Sequence, residues 1–145
     1  MSYYPPAGFS FTVTITGISG IEESSFQEVS GLNAKLGTED IKEGGENRFS
    51  YRFPTPAKYE NLVLKRGMLV GSPLINWVRD GIEQFKFTPK LVVVSLLNEN
   101  AQPLATWNFI NAYPVAFKIS EFKAQENAIV LETLELAYNY FIKIL

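Results

Sequence analysis

The chain has 145 residues, 46% hydrophobic and 14% aromatic, with a formal net charge of -2; that suffices for one domain around one core and is too apolar for a disordered segment. It holds no histidine and no cysteine, which excludes a disulfide framework, a thiolate nucleophile and a Cys-ligated metal. The slight acidic excess lacks the electrostatic footprint of a nucleic-acid binder, so no stable nucleic-acid binding is expected.

Residues Phe9 to Thr16 alternate strictly, with Phe9, Phe11, Val13 and Ile15 opposite Ser10, Thr12, Thr14 and Thr16, which predicts a half-buried strand. Phe26 to Leu32 resumes the alternation less cleanly, and Gly31 marks a bulge or a close backbone approach. Asn33 to Asn47 is polar and contains glycines, a long excursion of the kind that carries contacts. It returns through Arg48 to Phe53, so an extended loop or hairpin is expected over about 33–53. One face of the returning strand carries Phe49, Tyr51 and Phe53, and ordinary patterning assigns such a face to the core. Pro54-Thr55-Pro56 is expected to end that strand, because proline cannot donate to a ladder.

Leu62 to Lys65 reads as a short strand before Gly67. Ser72 followed by Pro73 is a helix start, and Leu74, Ile75, Trp77, Val78, Ile82 and Phe85 form one broad apolar face, which predicts a helix over Pro73 to Gln84. Leu91 to Leu97 and Thr106 to Phe109, separated by the turn signal Asn98-Glu99-Asn100, predict a hairpin, with a further short strand over Val115 to Ile119. In Ala128 to Leu145 a helical spacing competes with a two-residue period that only Glu132 interrupts, and the strand reading is preferred. About seven strands and one helix, with no strand-helix alternation, predict a mainly β protein: an antiparallel barrel or sandwich with one flanking helix.

Catalytic candidates are weak. Carboxylates at Glu22, Glu23, Glu28, Glu43 and Glu46 lie mostly in polar, glycine-flanked stretches, where solvated side chains far outnumber acid-base pairs. Ser24 and Ser25 have no histidine to activate them, and Lys65-Arg66 is expected to be a solvated or interfacial pair. Glu43-Gly44-Gly45-Glu46 lacks the Lys-Ser/Thr of a phosphate loop, so a flexible hairpin tip is expected. No cofactor or metal is anticipated. Met1 to Pro6 has neither the basic start nor the apolar core of a secretory signal, which points to synthesis and assembly in the cytoplasm without membrane insertion.

Six segments carry a resemblance: Phe26 to Leu32, Glu43-Gly44-Gly45-Glu46-Asn47, Tyr59 to Gly67 with its Lys65-Arg66-Gly67, Leu74 to Trp77, Trp107 to Pro114, and Glu132 to Leu136. Their order and spacing resemble the tail-tube proteins of contractile phage tails, including the inner tubes of extracellular contractile injection systems. Phe53-Pro54-Thr55-Pro56 departs from that pattern, which has an aliphatic residue before the first proline and a glycine soon after it.

The resemblance implies a structural, non-enzymatic protomer: a small antiparallel β-barrel with one helix, assembled into hexameric rings that stack as a hollow tube. Its implied partners are other copies of itself, a sheath, baseplate and tube-terminating proteins, and cargo in the lumen, either DNA or a protein effector. The finished particle is a phage tail or an extracellular phage tail-like particle. Glu43, Gly44, Gly45, Glu46, Asn47, Lys65, Arg66 and Gly67 are the candidate assembly residues. Alternatives within the resemblance are a baseplate-proximal tube subunit, a phage tube for DNA passage, and a secreted type VI-like carrier ring. Aromatic content alone also suits a monomeric barrel for an apolar ligand.

Overall fold

Period-two burial organises the strands over residues 10–15, 62–67, 90–97 and 131–137. The computed structural model describes residues 10–18, 26–42, 44–45, 50–68, 71–121 and 129–145. Among them lie β1 (Ser10–Ile15), β2 (Glu28–Ser30), β3 (Ala34–Ile41), β4 (Tyr51–Tyr59), β5 (Leu62–Gly67), α1 (Pro73–Gln84), β6 (Lys90–Leu97), β7 (Pro103–Ile119), β8 (Leu131–Ala137) and β9 (Tyr140–Lys143). Phe9, the stretch from Glu22 to Ser25, and Arg48 and Phe49 fall outside the described residues.

The main sheet runs β1-β6-β7-β8-β5-β2, with β9 also paired to β7, and β3 and β4 form a separate two-stranded ribbon. All pairings are antiparallel. The ladder is mainly β, as the sequence predicts, but it does not close into a barrel: β1 and β2 end the path without pairing to each other.

A corner bends this ladder around its core. β7 meets β6 along its first half, while β9 and then β8 follow its opposite edge, in one register from Trp107↔Lys143 to Pro114↔Leu136 and, past a one-residue shift, on to Ile119↔Glu132. Both lines kink together: Asn111 takes a left-handed φ of 55°, and Asn139 N–H donates to the Ile110 carbonyl at 2.9 Å where β8 gives way to β9. The buried parity changes there, from Phe109 to Ala112 and Pro114. Strands that pass from one layer to the next through such a corner enclose a core between the layers. Val13, Ile15, Leu62, Leu64, Val92, Val94, Phe109, Leu134 and Leu136 fill it, with Leu74, Trp77 and Val78 of α1. Each such side chain contributes about 1.5–3 kcal/mol of burial.

The helix has the predicted bounds. Ser72 Oγ accepts the Leu74 N–H at 3.2 Å, and Trp77 Nε1 donates to the Thr88 carbonyl at 2.9 Å. Its apolar face is narrower than the sequence suggests, because Gly81 sits against Pro114 and Phe87, where an added Cβ would lie 2.9 Å from the Pro114 ring. Contact centred there leaves Ile82 and Phe85 exposed.

Three further expectations change. β4 does not stop at Pro54 but continues through Pro56, since a strand in a two-stranded ribbon has one open edge where a missing N–H costs no ladder bond. Tyr51 and Phe53 are exposed rather than core, because among the described residues no second sheet packs on the two-stranded ribbon. The segments Thr106 to Phe109 and Val115 to Ile119 belong to one strand, whose register shift next to Pro114 absorbs the proline.

Gly31 confirms the close approach. It has φ 92°, and a Cβ there would lie 2.0 Å from the Asn61 carbonyl oxygen. Gly31→Ala is therefore expected to lower the unfolding free energy by about 2–3 kcal/mol in urea titration; an unchanged midpoint would show that β2 can withdraw from β5 freely.

Candidate assembly surfaces

Around Arg66, three elements share one buried cation. β5 alternates buried and half-buried residues, so Leu62, Leu64 and Arg66 all point inward, and Arg66 is 1% exposed. Its cross-strand partner is Glu132, the residue that interrupts the apolar period of β8, 4% exposed and paired through Oε1 to Arg66 Nε at 3.3 Å. Arg66 Nη2 donates to Ser72 Oγ at 3.0 Å, the same oxygen that caps α1, and the guanidinium lies over the Phe26 ring at 5.1 Å. The expectation of a solvated or interfacial pair is thus corrected for Arg66. Alternation along β5 sends Arg66 inward, while Lys65 stays at the surface and meets Glu28 at 3.8 Å.

The ribbon is fastened at its base. Asn33 Nδ2 donates to Glu60 Oε2 at 2.7 Å, and Tyr138 Oη donates to the Glu60 carbonyl at 2.6 Å. The Tyr59 ring meets Tyr138 and Phe141 edge-on at 6.0 and 5.1 Å. Further out the ribbon exposes Leu36, Ile41, Tyr51 and Phe53. Gly44 and Gly45 form an exposed turn at its tip, and Glu43, Glu46 and Asn47 fall outside the described residues. The structure therefore does not unite the predicted site residues in one place: the glycines end the ribbon, whereas Lys65, Arg66 and Gly67 belong to β5. Sequence reading missed Glu132 as a functional partner, although its lone polar interruption of an apolar period was the available signal.

The outward faces of the two layers differ in charge. Across β1, β6, β7 and β9 the aligned residues Thr14, Val93, Asn108 and Ile142 are uncharged, as are Thr12, Ser95 and Thr106 in the next row. Across β2, β5, β8 and β7 the corresponding row is Glu28, Lys65, Thr133 and Lys118. Among the described residues no group of acidic, His or Cys side chains could hold a metal, and no helix is long and apolar enough to cross a membrane.

The pattern of the family described as T4-like virus tail tube protein gp19 matches residues 7–142. The chain belongs to this family of tail tube proteins. Solved structures align with this tail-tube protein over nearly its whole length. A chain in the cryo-EM structure of the anti-feeding prophage baseplate is 29% identical, with a TM-score of 0.82 and coverage of 99% of this chain and 97% of that one. A chain in the extended sheath-tube complex of the extracellular contractile injection system PVC is 27% identical, with a TM-score of 0.80 and coverage of 98% and 93%. Hcp1 from Flavobacterium johnsoniae, 17% identical with a TM-score of 0.57 over 92% and 93% of the chains, shares the fold. A comparison with curated protein sequences gives no match.

Two predictions follow from the buried contacts. Arg66→Met and Glu132→Leu should each cost about 3–5 kcal/mol alone by stranding a charge, while the double variant costs much less than their sum; additive costs in urea unfolding would deny the coupling. Burial first, then the neighbouring Tyr59 and Glu60, push the Tyr138 phenol up to about 12. The native phenol keeps a proton that the unfolded one loses near pH 10, so its contribution is complete below about pH 10 and lost as pH rises through about 12. Phenolate absorbance should show one late-ionising tyrosine, absent in Tyr138→Phe.

Proposed function

We propose that this chain is the inner-tube protomer of a contractile injection particle. Copies form hexameric rings, the rings stack into a hollow tube, and contraction of a surrounding sheath drives the tube through a target envelope with its cargo. The observation that carries this reading is the end-to-end similarity, at TM-scores of 0.80–0.82, to chains of the anti-feeding prophage and PVC particles, which covers almost all of both partners.

The role is structural and needs no catalysis. Among the described residues the outer edges of β1 and β2 have no strand partner, and association with further copies satisfies them. The ribbon supplies reach: its exposed Leu36, Ile41, Tyr51 and Phe53, and the Gly44-Gly45 tip, contact an adjacent protomer or ring. Lys65 contributes from the charged outer face, while Arg66 and Gly67 hold β5 in place beneath it. Sheath, baseplate and tube-terminating proteins are the other partners, and the destination is an extracellular phage tail-like particle.

A second reading has its own support, because one matched chain is part of a baseplate structure. A baseplate-proximal tube subunit would share the fold and differ in its neighbours and in its copy number per particle.

Electron microscopy of negatively stained protein, with light scattering for mass, tests the assembly. Hollow rings or tubes with sixfold end views are expected, and Leu36→Ser with Phe53→Ser should abolish stacking while shifting the unfolding free energy by less than about 1 kcal/mol. A monomer across all salt and protein concentrations would overturn the tube reading.

A further inference from the structure

The end of α1 presents an aromatic projection that the protomer leaves uncovered. Phe85 caps the helix in the left-handed region, at φ 55° and ψ 36°, where glycine is the usual residue. A non-glycine residue there carries a penalty of about 1 kcal/mol. Yet the Phe85 side chain is 83% exposed, and its ring contact is edge-on to Phe87, itself exposed, at 4.9 Å. Lys86 between them is also exposed. Within one protomer this arrangement combines a strained backbone with an unburied aromatic.

Elsewhere the same chain holds a matching hollow. Where the ladder fails to close, between β2 and the β1-β6-β7 layer, lies a cleft of about 410 Å³ lined by Phe11, Val29, Leu32, Leu96 and Trp107, with Gln27 and Glu28 beside them. That volume is in the range of about 300–1,000 Å³ typical of pockets that accept a drug-sized apolar group. Phe87 packs on Tyr113 and α1 on Pro114, whereas the cleft reaches Trp107. At about 3.3 Å per residue the projection and the hollow thus lie toward opposite halves of β7.

We propose that the Phe85-Lys86-Phe87 projection of one copy seats in the cleft between β2 and β6 of a second copy of this chain. The inference rests on the tube-protomer reading and names one contact that builds the ring. Each aromatic brings about 150–250 Å² of surface to be buried. Glu28, which Lys65 meets at 3.8 Å within the protomer, lines the cleft, and the exposed Lys86 would bring a second cation to the same carboxylate. Two different surfaces joined head to tail continue from copy to copy, and they close into a ring when the rotation per contact permits.

The absence of native cysteine makes the test free of background. Lys86→Cys and Gln27→Cys, two exposed positions, are introduced together, and the assembled protein is oxidised and run on a denaturing gel beside each single variant. A ladder of disulfide-linked chains up to the ring size, seen in the double variant alone, is expected. A product that stops at the dimer overturns the head-to-tail order. Tubes by microscopy without a ladder overturn the contact and leave the tube reading standing, while a ladder without rings or tubes supports the contact and counts against the tube. Neither ladder nor assembly overturns both.

Phe85→Gly separates the contact from folding, since it removes the projection while relieving the backbone. An unfolding midpoint equal to or above that of the parent, with at least a tenfold rise in the concentration needed for assembly, is expected. Unchanged assembly overturns the role of Phe85.

Discussion

Arg66 carries a charge in a part of the molecule where water cannot solvate it, and the surrounding structure is arranged to satisfy that charge. Glu132 supplies the opposite charge from β8, Ser72 an acceptor from the helix start, and Phe26 an aromatic face from the segment before β2. Three separate stretches of chain are thereby tied to a single guanidinium carried on a fourth, β5. A buried pair adds little net stability over an apolar substitute, but it penalises alternatives heavily, because any register that separates the charges strands one of them. In a sheet, a slip by one residue moves every side chain to the other face. We therefore read the pair as a register pin for β5 and β8, and the Ser72 contact as the link that places α1 relative to them.

The second constraint is geometric. A long strand that pairs with β6 on one edge and with β8 and β9 on the other must bend if the two layers are to face each other, and β7 bends at Asn111 and Pro114. The bend creates the core, exposes an uncharged layer on one side and a charged one on the other, and leaves β1 and β2 apart. Incomplete closure is a defect only for an isolated protomer. Among the described residues it leaves a pair of strand edges and an apolar cleft, the surfaces that the proposed assembly of tail-tube subunits would use.

Much of this was legible in local pattern. The helix from Pro73 to Gln84 announces itself through Ser72, Pro73 and the spacing of Leu74, Trp77 and Val78, and β1 and β6 follow from alternation and an apolar run. Gly31 was readable as a bulge or close approach because a glycine inside an alternating stretch leaves room for another backbone, here the Asn61 carbonyl. The aromatics of β4 were misread for an equally physical reason: alternation reports that a strand has two unlike faces, and it carries no information on whether anything lies against the apolar one. Lys65-Arg66 was misread similarly, since two adjacent cations on a strand point in opposite directions.

Composition and periodicity in the sequence thus settle the absence of Cys and His chemistry, the β class, and the helix over Pro73 to Gln84 with its cap, because each depends on residue identity or on residues within a few positions of one another. The order of strands, the partner of Arg66, the nakedness of the β3-β4 ribbon and the gap between β1 and β2 belong to the folded molecule. They depend on contacts between residues far apart in the chain, such as Arg66 with Glu132 and Tyr138 with Glu60, whose pairing no local pattern encodes.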